Sequence, residues 1–266
     1  MPRCPTAIHE MIILLSPSKT LDPAPRPEFR NTTQPEFLDQ AERLVIRLRK
    51  LSRPKLRRMM EISDKLADVN YDRYRDWHRP FTTENAAPAI SLFRGDVYDG
   101  LAADTFSAAD RKYAQEHLRI LSGLYGLLRP LDLAQPYRLE MGRTFETGKP
   151  KSLYEFWGTE LSETIDALAA KSKPPLIINL ASNEYFKAAK PKSLSTRVIT
   201  PVFKEQNGEK LRMITYFAKR ARGLMAQYLI KNRVKTLEDL QAFDLDRYNY
   251  HKDASTDDRP VFTRVN

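Results

Sequence analysis

The chain has 266 residues, 41% apolar and 29% charged, with 44 Lys/Arg against 34 Asp/Glu and a formal net charge of +10. Its single cysteine, Cys4, excludes an intrachain disulfide framework and argues against thiolate metal sites and thiol redox catalysis. No apolar run approaches the roughly 18 residues of a membrane span, and the N-terminus MPRCPTAIHE lacks a signal-peptide core, so a reducing cytoplasm is the expected compartment.

Residues 1–10 read as an extension that adds nothing to the fold, with Met11 as an alternative start, and 11–266 as a single domain. MIILLS, from Met11, reads as a short buried strand, followed by a Pro/Arg-rich loop. Helical spacing over 35–51 places Phe37, Ala41, Leu44, Val45, Leu48 and Leu51 on one face. Leu51-Ser-Arg-Pro54 breaks that helix, and Pro54 suits the first turn of a second one over 54–67. Helices are predicted over 83–93 and over 108–118, the latter capped by Ser107. HLRIL then turns to strand character and enters Ser122-Gly123.

Residues 152–170 show the spacing of one long amphipathic helix, ended near Pro174-Pro175. LIINLA, 176–181, has the continuous apolar run of a central strand, and Ser182 caps a short helix after it. RVITPVFKE and KLRMITYF flank Asn207-Gly208, the strongest hairpin signal in the chain. A helix follows, with Phe217, Ala221, Leu224 and Tyr228 on one side and Lys219 and Arg222 opposite. VFTRV near the end reads as an edge strand. The expected class is α/β, a mixed sheet flanked by helices.

Charge is segregated. Lys187–Lys235 carries thirteen Lys/Arg and two acids, a net +11, and Ala41–Arg58 carries eight and one, a net +7, which leaves −8 for everything else. An acidic body with two basic blocks is the pattern of a polyanion-binding protein.

The chemistry motifs are mostly negative. His9, His78, His117 and His251 form no paired-ligand spacing, so no metal site is expected. SPSKTL lacks a Gly-rich loop before its lysine, and there is no G-x-S-x-G elbow. Three segments nevertheless look like sites: Ser16-Pro-Ser-Lys19-Thr20, Tyr137-Arg138-Leu-Glu140, and Asn179 to Tyr185 with Ser182 and Glu184. Polar groups just past strand ends converge on a cleft in α/β folds. The plain alternative makes the serines caps, Asn179 a backbone partner and Arg138–Glu140 a structural ion pair. Between the first and third segments lies LSGLYGLLRPLDLAQPYRLEMG, whose Gly123 and Gly126 permit turns and close approach to phosphate.

The segments LLSPSKTLD, ISDKLA, FRGDVYDGL, LRILSGLYGLLRPLDLAQPYRLEMG, LYEFWG, INLASNEYFK and AKRARGLM occur in this order. Together they resemble the YaaA family of peroxide-stress resistance proteins, from Met11 to about Tyr250. The resemblance implies an unusual α/β fold with a positively charged cleft and a helix-hairpin-helix element. It also implies a cytoplasmic bacterial protein that limits free iron during hydrogen-peroxide stress and binds duplex DNA, with a preference for distorted forms. It implies no cofactor and no established catalytic activity.

On this reading Lys19, Arg138, Lys187, Lys190, Lys219, Arg220 and Arg222 contact DNA phosphates, with Gly123 and Gly126 in the wall of the same cleft. Tyr125 and Tyr137 are candidates for stacking on exposed bases. Ser16, Glu140, Asn179, Ser182 and Glu184 orient the basic groups or hold a small ligand. Two segments compete for the hairpin turn: Gly123-Leu-Tyr-Gly126, and Leu51-Ser-Arg-Pro54, which lacks glycine. The alternative function is an enzyme acting on a phosphorylated small molecule or nucleic acid in the same cleft. An iron-binding protein is a third reading, without facial-triad spacing to support it.

Overall fold

The structure is a computed structural model that describes residues 11–24, 29, 31–145, 149–171, 174–208 and 210–265. The expected extension 1–10, with Cys4, lies outside the described residues. The fold is mixed α/β with several sheets.

The first strand, β1 (Ile12–Leu15), is fully buried, as its run of four branched side chains requires. A short β2 (Thr20–Leu21) follows. Helix α1 (Leu38–Arg49) buries Leu38, Ala41, Leu44, Val45 and Leu48, the face given by the periodicity. The second predicted helix is two helices, α2 (Arg53–Met60) and α3 (Asp64–Asp76). Glu61 takes a left-handed conformation, φ 52°, and the Ser63 side chain accepts from the Leu66 amide, so the chain ends one helix and caps the next within three residues.

The helix predicted over 83–93 is largely absent. Pro88 closes a short strand, β3 (Ala87–Pro88), and only α4 (Ala89–Leu92) is helical before β4 (Phe93–Arg94), which pairs with β2. Next come α5 (Asp96–Leu101) and α6 (Ala108–His117), the latter started by a Ser107–Asp110 capping box. Then β5 (Leu118–Ser122) turns back through Gly126, φ 68°, into β6 (Gly126–Leu128), and β7 (Leu133–Ala134) pairs with β3.

The long helix expected over 152–170 breaks at Gly158, φ 52°, into α7 (Leu153–Trp157) and α8 (Glu160–Ala169). Strand β8 (Leu176–Asn179) leads to α9 (Asn183–Phe186), with the Ser182 side chain at its cap. The predicted strand RVITPVFKE is divided at Thr200-Pro201: β9 (Arg197–Ile199) joins one sheet and β10 (Val202–Asn207) another. β10 forms the expected hairpin with β11 (Lys210–Arg212), although Asn207 is the last strand residue and Gly208, φ 58°, starts the turn. The long α10 (Thr215–Asn232), α11 (Leu237–Gln241), β12 (Tyr248–Tyr250) and β13 (Val261–Val265) complete the chain.

The larger sheet runs β6-β5-β1-β8-β9, with β5, β1, β8 and β9 parallel and β6 antiparallel. Parallel pairing with Leu14 opposite Asn179 brings the carboxyl ends of β1 and β8 out side by side. The second sheet runs β11-β10-β13-β12, so the predicted edge strand β13 is interior, flanked by β10 and β12. That placement explains why Thr263 and Arg264 are buried there. One hydrophobic core cluster extends from Met11 to Phe262.

Candidate phosphate cleft

The loop after β1 and the loop after β8 are tied together directly. The Ser182 amide donates to Ser16 Oγ at 2.8 Å, and the Tyr98 hydroxyl donates to the Ser16 carbonyl at 3.0 Å. These contacts exist because parallel β1 and β8 end at the same level, with α5 packed alongside. A cleft of about 390 Å³ opens here, lined by Ser16–Thr20, Gly95–Val97, Leu180, Ser182, Glu184, Tyr185, Lys219 and Arg222. This is within the range of about 300–1,000 Å³ usual for small-molecule sites.

The α10 wall is fixed by helix packing. A Cβ on Gly223 would sit 1.8 Å from the Val97 carbonyl oxygen, and one on Gly100 would sit 2.2 Å from that of Arg220. Helices α5 and α10 therefore touch backbone to backbone, and no larger residue fits either position. The contact leaves α10 buried around much of its circumference, including Ala218, Ala221, Gly223, Leu224, Met225 and Ala226, a wider face than the sequence periodicity suggested. Lys219 and Arg222 remain on its cleft side. Among the described residues their side chains make no hydrogen bond or ion pair. Burial alone, with no carboxylate to offset it, lowers the pKa of Arg222. A half-buried guanidinium has lost part of its hydration, and its donors can be satisfied by an anion.

Beside the cleft, Glu140 is 4% exposed and gathers three cations: Lys19 Nζ at 3.3 Å, Arg138 Nη2 at 3.1 Å and Arg143 Nε at 3.7 Å. Its Oε2 makes no hydrogen bond. Arg143 also reaches Glu61 at 2.8 Å, and the Arg143 hydrogen bond is the main cause of a lowered Glu61 pKa. The segment carrying Arg138 is held by the Tyr74 hydroxyl, which donates to the Arg138 carbonyl. Lys19 lines both the main cleft and the small hollow beside Arg138 and Glu140, and so joins them.

Of the expected site residues, the structure brings Ser16, Lys19, Ser182, Glu184, Lys219 and Arg222 into the cleft, with Arg138 and Glu140 adjoining. Asn179 lies just below: its Oδ1 accepts the Ala181 amide at 3.1 Å, so it shapes the loop and does not line the cleft. Glu184 accepts the Gly142 amide at 2.8 Å and joins the signature segment to the β8 loop.

Other expected members lie elsewhere. Lys187 stacks over the Tyr154 ring at 4.7 Å, Arg220 pairs with Asp246 at 2.9 Å, and Lys190 itself takes the left-handed conformation, φ 44°, that ends the turn after α9. None of the three lines the cleft, because α9 and its continuation rotate 187–190 away from it and Arg220 is one residue off the cleft stripe of α10.

Gly123 and Gly126 are not cleft wall. Both are buried in the β5–β6 turn, where a Cβ would meet the Leu139 carbonyl oxygen at 2.1 Å and the Trp157 ring at 2.7 Å respectively. The Trp157 indole donates to the Gly123 carbonyl at 3.1 Å. Tyr125 and Tyr137 are 0% and 5% exposed, so neither is placed to stack on a base. Tyr125 instead accepts from the Trp77 indole at 3.0 Å, and Tyr137 bonds Ser122 at 2.6 Å. The Gly123–Gly126 turn joins two strands and so is not a turn between helices, whereas Leu51-Ser52 lies between α1 and α2 and Arg53-Pro54 open α2.

Sequence reasoning missed Asp96, which lines the cleft from the first turn of α5. Its available signal was Gly95, whose φ of 98° seats the loop against Ser18, just before an acidic helix start. Among the described residues no group of three or more His, Cys, Asp or Glu could hold a metal ion, and no helix is long and apolar enough to cross a membrane. The family model of the peroxide stress protein YaaA matches residues 11–254, and the chain belongs to that family.

Proposed function

We propose that this peroxide-stress protein works by binding DNA without sequence preference, favouring distorted duplex, and that this binding helps limit free iron and oxidative damage in the cytoplasm. The observation that carries the reading is a set of cations on β11 and α10, Lys210, Arg212, Lys219 and Arg222, whose side chains make no hydrogen bond or ion pair among the described residues, the last two lining the cleft. Such groups neutralise backbone phosphates and release counterions, which favours binding to any sequence. Between them Met213, Ile214 and Tyr216 are 55%, 41% and 54% exposed. An exposed aromatic beside cations offers a stacking surface for a base that has left its pair. The turn between α1 and α2 is the remaining candidate for a helix-hairpin-helix contact to the backbone. The limit on free iron is assigned to an indirect route, since the described residues offer no metal cluster.

The test is a pair of substitutions, Lys219→Ala with Arg222→Ala. Affinity for unrelated duplex sequences should fall alike, by roughly 1 kcal/mol or more for the pair, with melting temperature nearly unchanged. Full affinity in the folded variant would remove these residues from the DNA surface. An enzyme of phosphorylated small molecules remains the second reading, favoured by the ligand-sized volume of the cleft.

A further inference from the structure

The cleft holds charges of both signs that do not pair with each other. Lys219 and Arg222 come from α10 and Asp96 from α5, and the side chains of all three are without a hydrogen bond or ion pair among the described residues. The helices that carry them are fixed against each other. The backbone contact of α5 with α10 at Gly100 and Gly223 sets the separation of the two walls. Arg222 and Asp96 are both half-buried, so each has lost part of its hydration without a protein partner in exchange. Two opposite charges held apart in one recess fit a ligand that bridges them.

The end near α10 suits an anion with several acceptor oxygens, because a guanidinium presents a planar fork of donors and Lys219 adds a second cation. The Asp96 end requires a donor, a hydroxyl or an amino group, since an ionised carboxylate only accepts. Ser16, Ser18 and Ser182 line the space between and can serve either role. A backbone phosphate alone answers only the α10 end of this arrangement, whereas a phosphate ester with a donor elsewhere on the molecule answers both ends. A volume of about 390 Å³ accepts one nucleotide-sized group.

We propose that the cleft is a binding site for a phosphomonoester whose carbon skeleton carries a hydrogen-bond donor, with the phosphate on Arg222 and Lys219 and the donor on Asp96. Mononucleotides have this chemistry, and so does the terminal nucleotide of a 5′-phosphorylated DNA strand. The inference rests on the reading of the cleft as a phosphate site. It narrows that reading to a phosphate at the end of a molecule, with Asp96 as the determinant that selects it.

The experiment measures binding of the full chain by calorimetry to five probes: AMP, adenosine, inorganic phosphate, a short 5′-phosphorylated single strand and the same strand with a 5′-hydroxyl. Wild type, Arg222→Gln, Arg222→Lys and Asp96→Asn are compared, each checked for an unchanged melting temperature. AMP should bind at least tenfold more tightly than adenosine. Arg222→Gln should lose that difference, and Arg222→Lys should restore part of it. Asp96→Asn should weaken AMP about tenfold while leaving inorganic phosphate within twofold.

A preference for the 5′-phosphorylated strand over its 5′-hydroxyl form, with AMP weak, identifies a strand end as the source. Tight AMP with no such preference identifies a free nucleotide. No advantage of phosphate in either pair of probes, or no effect of Asp96→Asn, overturns the proposal. A blunt 5′-hydroxyl duplex serves as a separate arm. If it binds while both phosphate pairs fail, general DNA binding stands and the terminal-phosphate site falls. If it fails while AMP binds, the reverse holds.

Discussion

Glu140 shows how much one buried carboxylate does for this site. It holds Lys19, Arg138 and Arg143 against their mutual repulsion, at 3.3, 3.1 and 3.7 Å. Removing it leaves three neighbouring cations around an emptied, mostly buried position. Glu140→Ala is expected to cost about 3 kcal/mol in urea unfolding, the low end for breaking a buried pair because Lys19 is 63% exposed and rehydrates easily. Lys19→Ala, by the same argument, should cost about 1 kcal/mol or less.

At this scale the sequence was informative about polar groups after strands. Ser16, Lys19, Ser182 and Glu184 do meet, because parallel strands end together. It was uninformative about direction. Lys187 lies five residues beyond Ser182 yet is turned onto Tyr154, a consequence of helical rotation that spacing past a strand end does not encode.

Among the elements, the crossing of α5 and α10 is the most constrained contact. Gly223→Ala places a methyl group 1.8 Å from the Val97 carbonyl oxygen, which cannot give way as a flexible side chain would. The helices must separate, at an expected cost of about 3 kcal/mol or more, read as a lowered denaturation midpoint. Gly100→Ala, at 2.2 Å from the Arg220 carbonyl oxygen, should behave alike, and the two together should be less than additive because they relieve one another's clash.

A second element contact depends on pH. Asp166 on α8 accepts from the Ser195 amide at 2.8 Å, the Ser195 hydroxyl at 3.0 Å and the Thr196 amide at 3.1 Å, and so fixes the approach to β9. Burial would raise its pKa, but these donors outweigh burial and hold it below the ordinary 3.8. Its contribution is therefore complete above that value and lost as pH falls through the lower folded one. The stability difference between wild type and Asp166→Asn should be constant at neutral pH and shrink below pH 3.8. A difference that stays constant into strong acid would show that the carboxylate is not stabilised by these bonds.

Helix caps and apolar runs made α1, α6, β1, β5 and β8 legible. The misses have local causes. Glu61 and Gly158 enter the left-handed region inside patterns that read as continuous helix. β13 reads as an edge only because its partners β10 and β12 are separated from it in sequence and assembled by tertiary pairing.

For the whole molecule, the distribution of charge needs more than a count. The basic block 41–58 is largely engaged within the protein. Arg47 donates to the Pro150 carbonyl at 2.7 Å, Arg49 to the carbonyls of Tyr74 and Trp77, Arg53 pairs with Asp68 and Asp72, and Arg57 pairs with Asp64. A sequence shows that cations are close together but not which of them hold the fold. In the block 187–235, Arg197, Arg220 and Arg233 are likewise taken by Asp258, Asp246 and Asp110. Among the described residues the side chains of Lys190, Lys192, Lys204, Lys210, Arg212, Lys219, Arg222 and Lys235 make no hydrogen bond or ion pair, and of these Lys219 and Arg222 face the cleft.

The most direct test of the DNA reading is therefore the salt dependence of duplex affinity, measured for the wild type and for Lys219→Ala with Arg222→Ala. The logarithm of the binding constant should fall linearly with the logarithm of salt, by about 0.9 per phosphate contacted. The slope should become shallower by about 2 in the double variant. A flat salt dependence in the wild type, or the same slope in both proteins, would contradict the assignment of these cations to DNA phosphate.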